Sequence, residues 1–182
     1  MTLGSLDLVP AFGHPELLAA PVAALLAARP DLTGSVEVAA IDPDLADTAA
    51  FCERYGVGLD ISANCVIVAG RRGETTRYAA VMVLATTRAD VNGVVRQLLD
   101  ARKASFAPID DAVALSGMEY GGITPIGLPA DWPILVDSRI VALPQVIVGS
   151  GLRRSKLALP GALLADLPGA QVVEGLARPA GD

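Results

Sequence analysis

The nine residues Glu119–Gly127, "EYGGITPIG", place two adjacent glycines, a proline and a third glycine in one short segment. Glycine adopts backbone conformations that other residues avoid, whereas proline fixes its own φ angle and restricts the residue before it. The segment therefore has an irregular, defined backbone and little acid–base chemistry. Two interpretations fit: a tight turn that shapes a sheet, or a loop whose backbone N–H groups face a ligand.

The segments around this loop alternate between helical and strand-like patterns. Helices are predicted over residues 17–29, 42–56, 91–103, 108–115 and 160–169, and strands over residues 36–41, 64–69, 77–86, 133–137, 145–149, 155–159 and 171–176. The strands at 64–69 and 77–86 are separated by a short turn and predict a hairpin. This mixture favours an α/β or α+β fold with mixed strand directions over a doubly wound parallel sheet.

The length and the charge of the chain restrict its organisation and its partners. With 182 residues, a single domain is predicted, with residues 1–16 as an N-terminal extension and residues 178–182 as a frayed tail. A net charge of −6 disfavours generic binding to nucleic acid, although a local basic patch remains compatible with it. Basic residues cluster at Arg71, Arg72 and Arg77, at Arg102 and Lys103, and at Arg153, Arg154 and Lys156.

The sequence offers little side-chain chemistry for catalysis. The single histidine, His14, precedes the first predicted helix and is interpreted as a surface residue, so a triad with a histidine base is not expected. Cys52 and Cys65 are predicted to be small buried hydrophobes, and no spacing of metal ligands or phosphate-binding motif is present. No secretory signal or membrane span is indicated either, which predicts a cytoplasmic protein.

An enzyme built from this chain would therefore act on an activated substrate, through positioning and backbone donors that stabilise an oxyanion. Gly121 and Gly122 are candidate donors. So are the glycines of "VGSGLRRSK", Val148–Lys156, for which a hairpin turn with solvated charges is the alternative. Asp137 ends an apolar strand and is either a hydrogen-bond acceptor that fixes a loop or a site residue.

These features together resemble the YbaK/prolyl-tRNA-synthetase-associated editing domain family, which includes deacylases of Cys-tRNA(Pro) and Ala-tRNA(Pro). The resemblance runs from about Leu17 to Ala177 and is carried by "GGITPIG", "PILVD" and "VGSGLRRSKL" in that order. Gly121 and Pro125 match the G-x-x-x-P loop of the family. The resemblance implies a mixed, strongly curved sheet that forms a partial barrel with flanking helices. It also implies hydrolysis, in trans, of the ester of a mischarged aminoacyl-tRNA.

The same resemblance implies a site without metal or other cofactor, in which backbone donors and the substrate itself assist hydrolysis. The expected partners are tRNA and an aminoacyl-tRNA synthetase, and binding to a membrane is not expected. Its implied residues are Gly121, Gly122 and Asn64 for catalysis, Thr124, Pro125, Asp137, Gly149, Ser150 and Gly151 for substrate binding, and Arg153 and Arg154 for contact with tRNA.

One position departs from the family. Editing members usually carry a lysine at the start of the strand that here reads "ANCVIVA", and Asn64 takes its place. Asparagine donates hydrogen bonds but carries no charge. Neither Lys103 nor Lys156 is close in sequence, and Arg71 or Arg72 is an alternative source of charge. A non-catalytic module that binds an aminoacyl group, a small molecule or a protein is therefore the alternative function.

Overall fold

The computed structural model of the chain describes residues 3–181, without the side chain of Thr33. Its helices are α1 (Ala20–Ala28), α2 (Pro30–Thr33), α3 (Thr48–Tyr55), α4 (Arg96–Leu98), α5 (Ile109–Ser116) and α6 (Ser138–Val141). Its strands are β1 (Val9–Pro10), β2 (Glu37–Ala40), β3 (Ala63–Arg72), β4 (Thr75–Leu84), β5 (Thr87–Ala89), β6 (Lys103–Phe106), β7 (Ile134–Asp137), β8 (Val146–Gly149), β9 (Ser155–Leu159), β10 (Ala170–Val173) and β11 (Ala177–Pro179).

The strands form two larger sheets and one small strand pair. A five-stranded sheet has the order β10-β7-β4-β3-β6, with β4, β7 and β10 parallel and the β3 pairings antiparallel. A four-stranded antiparallel sheet has the order β1-β2-β9-β8, and β5 pairs with β11. The mixed strand directions and the β3–β4 hairpin are thus confirmed. A bridge between Ser62 and Ile147 links the two sheets, and the partial barrel stays a prediction.

The half of the central hairpin remote from its turn is covered on both faces, because residues 65–69 of β3 and 79–84 of β4 are continuously apolar. Ile67 and Met82 contribute to the main hydrophobic cluster on one face, whereas Val68 and Val81 contribute to a second cluster on the other. A third cluster, around Phe51 of α3, lies against the four-stranded sheet. These three clusters hold α3, the hairpin and the glycine-rich loops in fixed positions.

The predicted helix over residues 42–56 is wrong as one element. Asp42 caps only a short 3₁₀ turn at Pro43–Leu45, and α3 begins separately at Thr48. The side chain of Asp47 accepts a hydrogen bond from the N–H of Ala49, so a second cap restarts the helix. Its predicted end at Gly56, which adopts a left-handed conformation, is confirmed.

The predicted helix over residues 91–103 is also wrong in its length. Asp90 caps it as expected, but Val91–Val95 form a wide π-helical turn, and only Arg96–Leu98 continue as α-helix. Asp100 takes a positive φ of 50°, which ends the helical course, and β6 starts at Lys103. The segment predicted as a helix at 160–169 is a 3₁₀ helix over Gly161–Asp166.

Both chain ends contribute short strands. β1, which lies within the predicted N-terminal extension, pairs with β2. At the other end β11 pairs with β5, so Arg178 and Pro179 of the predicted frayed tail are paired in a sheet. Met1, Thr2 and Asp182 lie outside the described residues. Within residues 3–181, no helix has the length and apolar character needed to cross a membrane.

Candidate active site

The glycine–proline loop and the second glycine segment lie directly against each other. The N–H of Gly151 donates to the carbonyl oxygen of Gly122 at 2.7 Å, and the N–H of Glu119 donates to the carbonyl oxygen of Gly151 at 2.9 Å. A Cβ on Gly122 would lie 2.6 Å from backbone atoms of Leu152, and one on Gly149 would overlap the carbonyl oxygen of Gly122. The two segments therefore form one unit, here called the glycine unit, whose close approach requires glycine.

Arg153 stabilises the glycine unit through three hydrogen bonds. Its N–H donates to the Glu119 carboxylate at 2.6 Å, and its guanidinium donates to the carbonyl oxygens of Tyr120 at 3.1 Å and Pro43 at 3.0 Å. Arg154 is exposed and donates to the carbonyl oxygen of Glu16 at 2.8 Å. Both guanidinium groups predicted to contact tRNA thus hold backbone carbonyls in this structure, and their contact with tRNA stays a prediction.

Ser150 is completely buried inside the turn between β8 and β9. Its hydroxyl lies 2.7 Å from the hydroxyl of Ser155, which in turn donates to the carbonyl oxygen of Leu17 at 2.6 Å. The N–H of Leu152 donates to the Ser150 hydroxyl at 3.2 Å. The hydroxyl therefore stabilises the turn and anchors it to the segment before α1.

Thr124 and Pro125 are buried in the loop. The N–H of Thr124 approaches the sulfur of Met118 at 3.5 Å, but the Thr124 hydroxyl, which is not exposed at all, has no hydrogen-bond partner in the part of the chain described. Buried hydroxyl groups are normally paired, and an unpaired one is destabilising. Among residues 3–181, Thr124 is thus the predicted substrate-binding residue whose buried side-chain oxygen has no hydrogen-bond partner.

Asp137 is placed in a different network. Its carboxylate accepts the N–H of Arg139 at 3.0 Å at the start of α6, and it pairs with the guanidinium of Arg139 at 2.6 Å. The same guanidinium donates to the carbonyl oxygen of Ala177 at 2.9 Å. Of the two roles that the sequence leaves open, the structure shows the hydrogen-bond acceptor that fixes a loop. None of these bonds reaches the glycine unit.

Asn64 lies half-buried near the start of β3, where its side-chain oxygen accepts a hydrogen bond from the Thr48 hydroxyl at 2.6 Å. The segment before Thr48 connects Asn64 with the glycine unit, since the Cβ of Ala46 lies 3.8 Å from the position that a Cβ on Gly121 would occupy. Gly121 and Asn64, two of the three residues predicted to be catalytic, therefore lie at opposite ends of the segment from Ala46 to Thr48.

Sequence reasoning missed Lys156. Its ammonium group donates to the carbonyl oxygen of Ala46 at 3.0 Å and lies 5.3 Å from the ring centre of Phe51, and only 7% of the residue is exposed. Burial lowers the pKa of Lys156 to about 8, against the opposing attraction of Cys52 and Asp47. β9 thus brings a cation to the same segment that carries Thr48, although Lys156 and Asn64 are distant in sequence.

Side chains that ligate metal ions are not clustered in the part of the chain that the structure describes. Among residues 3–181, no group of three or more His, Cys, Asp and Glu side chains is arranged to ligate one. Cys52 is buried with its sulfur 3.3 Å from the hydroxyl of Ser62, and burial raises the pKa of the Cys65 thiol well above its usual range. A raised pKa keeps Cys65 protonated and unreactive at neutral pH.

The glycine unit lies in the part of the chain that matches a known protein family. The sequence profile described as the aminoacyl-tRNA editing domain matches residues 42–167. The chain belongs to this family. The matched range contains Asn64, Lys156 and both halves of the glycine unit, and the family predicted from the sequence motifs is confirmed.

Several solved structures have a similar fold. The fold is similar to that of a candidate trans-editing enzyme for prolyl tRNA synthetase, with a TM-score of 0.72 and 21% identity over 86% of this chain and 94% of that one. A hypothetical protein matches with a TM-score of 0.74 and 21% identity over 87% of this chain and 99% of that one. A scaffold protein used for epitope grafting matches with a TM-score of 0.72 and 22% identity over 86% and 95% of the two chains. No curated protein matches the chain.

Proposed function

We propose that this chain hydrolyses, in trans, the ester bond between a wrongly attached amino acid and its tRNA. The observation that carries this proposal is that the match to the editing family covers residues 42–167, which contain the whole glycine unit and Asn64. The chain would act in the cytoplasm on mischarged tRNA, alone or beside an aminoacyl-tRNA synthetase. An editing step is useful because a binding pocket distinguishes a single methylene group by only about 1–3 kcal/mol.

The proposed chemistry requires no strong base from the protein. Water adds to the carbonyl carbon of the ester, negative charge develops on the carbonyl oxygen, and the ribose oxygen of the tRNA leaves with a proton. The N–H of Gly122 is committed to the carbonyl oxygen of Glu119 at 2.9 Å, so we assign the oxyanion to the N–H of Gly121. An amine or hydroxyl group of the substrate would carry the proton between the water and the leaving oxygen.

The aminoacyl group is proposed to lie against the part of the glycine unit that contains Thr124 and Pro125. The unpaired hydroxyl of Thr124 would then gain a hydrogen-bond partner from the substrate. Asn64 would orient the end of the tRNA or the substrate through its amide N–H₂ group, since its oxygen already accepts a bond from Thr48. Lys156 would act as a positioning residue, because it holds the carbonyl oxygen of Ala46 beside Gly121.

A non-catalytic role is the second candidate, and the state of Asn64 favours it. This position is uncharged, and Thr48 already occupies its oxygen. A chain with such a site would bind an aminoacyl group, a small molecule or a protein partner without turnover.

Hydrolysis of a panel of mischarged tRNAs by the purified chain separates the two functions. Loss of at least one amino acid faster than the spontaneous rate supports editing. Loss of none, together with saturable binding of an aminoacyl-tRNA or a non-hydrolysable aminoacyl analogue, supports the non-catalytic role.

A further inference from the structure

A second cleft, remote in sequence from the glycine unit, opens beside β6 at the edge of the five-stranded sheet. It has a volume of about 550 Å³. Four of its lining residues are basic, and none is acidic: Arg71, Arg96, Arg102 and Lys103. This concentration of positive charge is unusual in a chain whose net charge is −6. A cleft with one sign of charge attracts ligands of the opposite sign.

Within the described residues, the basic side chains of this cleft are not neutralised by ion pairs. Within residues 3–181 none of the four forms an ion pair, whereas the adjacent Arg72 pairs with Asp100 at 2.6 Å. The Nε of Arg96 donates to the carbonyl oxygen of Asn92 at 2.9 Å, which directs the guanidinium without cancelling its charge. The cleft therefore has cationic donors available for an anion.

The pairing of β3 with β6 places two of these cationic residues directly opposite each other. Arg71 lies directly opposite Lys103 in the antiparallel register. Like charges at directly opposed positions destabilise a sheet, and no carboxylate lines the cleft to relieve them. A bound polyanion would relieve the repulsion between the two side chains, because each of them would then be attracted to the anion.

An aromatic ring lies beside the cations. Phe106 ends β6, lines the cleft and is 63% exposed, although the chain contains only three phenylalanines. Exposed aromatic rings next to cationic grooves bind single-stranded nucleic acid, because bases stack on the ring while the phosphates contact the cations. Charge and exposed ring thus indicate the same class of ligand.

We propose that this cleft binds the phosphodiester backbone of RNA, with Phe106 stacking on an unpaired base. If the proposed function is correct, and only then, this RNA is the tRNA substrate itself. Asn64 and Arg71 lie seven residues apart on the same strand, which rises about 3.3 Å per residue, so about 23 Å separate their Cα atoms along β3. A tRNA bound in the cleft would extend its aminoacylated end over that distance to the glycine unit.

The test is binding of an uncharged RNA minihelix with a single-stranded CCA end, measured by fluorescence anisotropy at several salt concentrations. Arg96→Gln/Arg102→Gln should weaken binding at least about tenfold and reduce the slope of log K against log salt by about 1.5. Phe106→Ala should weaken binding of the tailed RNA about tenfold but leave a blunt duplex unchanged. The matched control, Arg54→Gln/Arg88→Gln, removes two exposed arginines that do not line the cleft and should bind as the wild type does.

Lys103→Gln provides a second readout that does not depend on activity. Relief of the repulsion from Arg71 should raise the melting temperature while RNA affinity falls. Charged residues on an edge strand also prevent edge-to-edge association. If protection of the edge were their only role, the cleft variants would aggregate and RNA affinity would be unchanged, which would overturn the proposal.

Other outcomes separate this inference from the proposed function. Absence of RNA binding, or an equal loss in the Arg54/Arg88 control, would overturn the inference. RNA binding that depends on the cleft, without any deacylation, would support the inference and contradict the editing activity. Deacylation that is insensitive to the cleft variants would support the editing activity and contradict the inference.

Discussion

The carbonyl oxygen of Gly122 accepts a 2.7 Å hydrogen bond from the N–H of Gly151, and this bond joins two loops that are far apart in the sequence. The loops leave no room for a side chain between them. The geometry of the candidate site therefore depends on backbone contacts, and it should respond to the addition of single methyl groups.

Gly122→Ala should destabilise the protein by about 1–3 kcal/mol, because the new Cβ would lie 2.6 Å from the backbone of Leu152. Urea denaturation measures this change. Gly34→Ala is the matched control, since Gly34 has a negative φ and no atom lies within 4 Å of the position that its Cβ would occupy; its effect should stay within about 0.5 kcal/mol. Equal effects of the two substitutions would show that the loops do not approach so closely.

Lys156→Met should change how stability depends on pH. The folded-state pKa of Lys156 is about 8, below its ordinary value of 10.5, so the unfolded chain binds a proton more tightly than the folded protein. Stability should therefore rise between these two pH values, by up to about 3 kcal/mol, and Lys156→Met should lack that part of the rise. Arg88→Met removes an exposed cation from a different strand and should leave the pH profile unchanged in shape. If the free energy of unfolding of the wild type rises above pH 8 no more than that of Lys156→Met, the burial of a titrating ammonium is contradicted.

Asp137→Asn should destabilise the protein by about 1–3 kcal/mol, since it breaks the ion pair of a buried carboxylate with Arg139. A double-mutant cycle with Arg139→Gln checks the cause. The two losses should be less than additive, with a coupling energy of at least about 0.5 kcal/mol. Strict additivity would mean that the two side chains act independently in solution.

Thr124→Val should stabilise the free protein by about 1 kcal/mol, because it removes a buried hydroxyl that has no partner within residues 3–181. The same substitution should raise KM for the aminoacyl-tRNA if the substrate pairs with this hydroxyl. Thr124→Ser retains the hydroxyl and should keep KM near the wild-type value. A stabilised Thr124→Val enzyme with unchanged KM would remove Thr124 from the substrate pocket.

The local patterns of the sequence were sufficient to predict the hairpin, whereas only the resemblance to the family assigned the two glycine segments to one site. β3 and β4 are long apolar runs around a short turn, and this pattern determines pairing without reference to the rest of the chain. The break at Ala46 was not predictable in the same way. Asp42 and Asp47 are both good caps, and only the packing of Phe51 against the sheet selects the later start.

The relation of Lys156 to Asn64 depends on sheet order, which local patterns do not determine. β9 lies between β2 and β8, so its lysine reaches the segment before α3. One signal was present in the sequence: a lysine within "SKLAL", where every position proves to be buried. The role of Asp137 likewise depended on its neighbour Arg139, whose guanidinium reaches the distant Ala177.

The proposed editing activity is measured by the single-turnover rate at which the wild-type chain removes amino acids from mischarged tRNAs, including Ala-tRNA(Pro) and Cys-tRNA(Pro). Gly121→Ala adds a methyl group at a φ of +85°, 2.7 Å from the Arg153 guanidinium, whereas the control Gly73→Ala, at a φ of +61°, meets no neighbouring atom. We expect hydrolysis above the spontaneous rate for at least one substrate, reduced at least about tenfold by Gly121→Ala and retained in Gly73→Ala. A wild-type rate equal to the spontaneous rate for every substrate, or equal activity in the two folded variants, would contradict it.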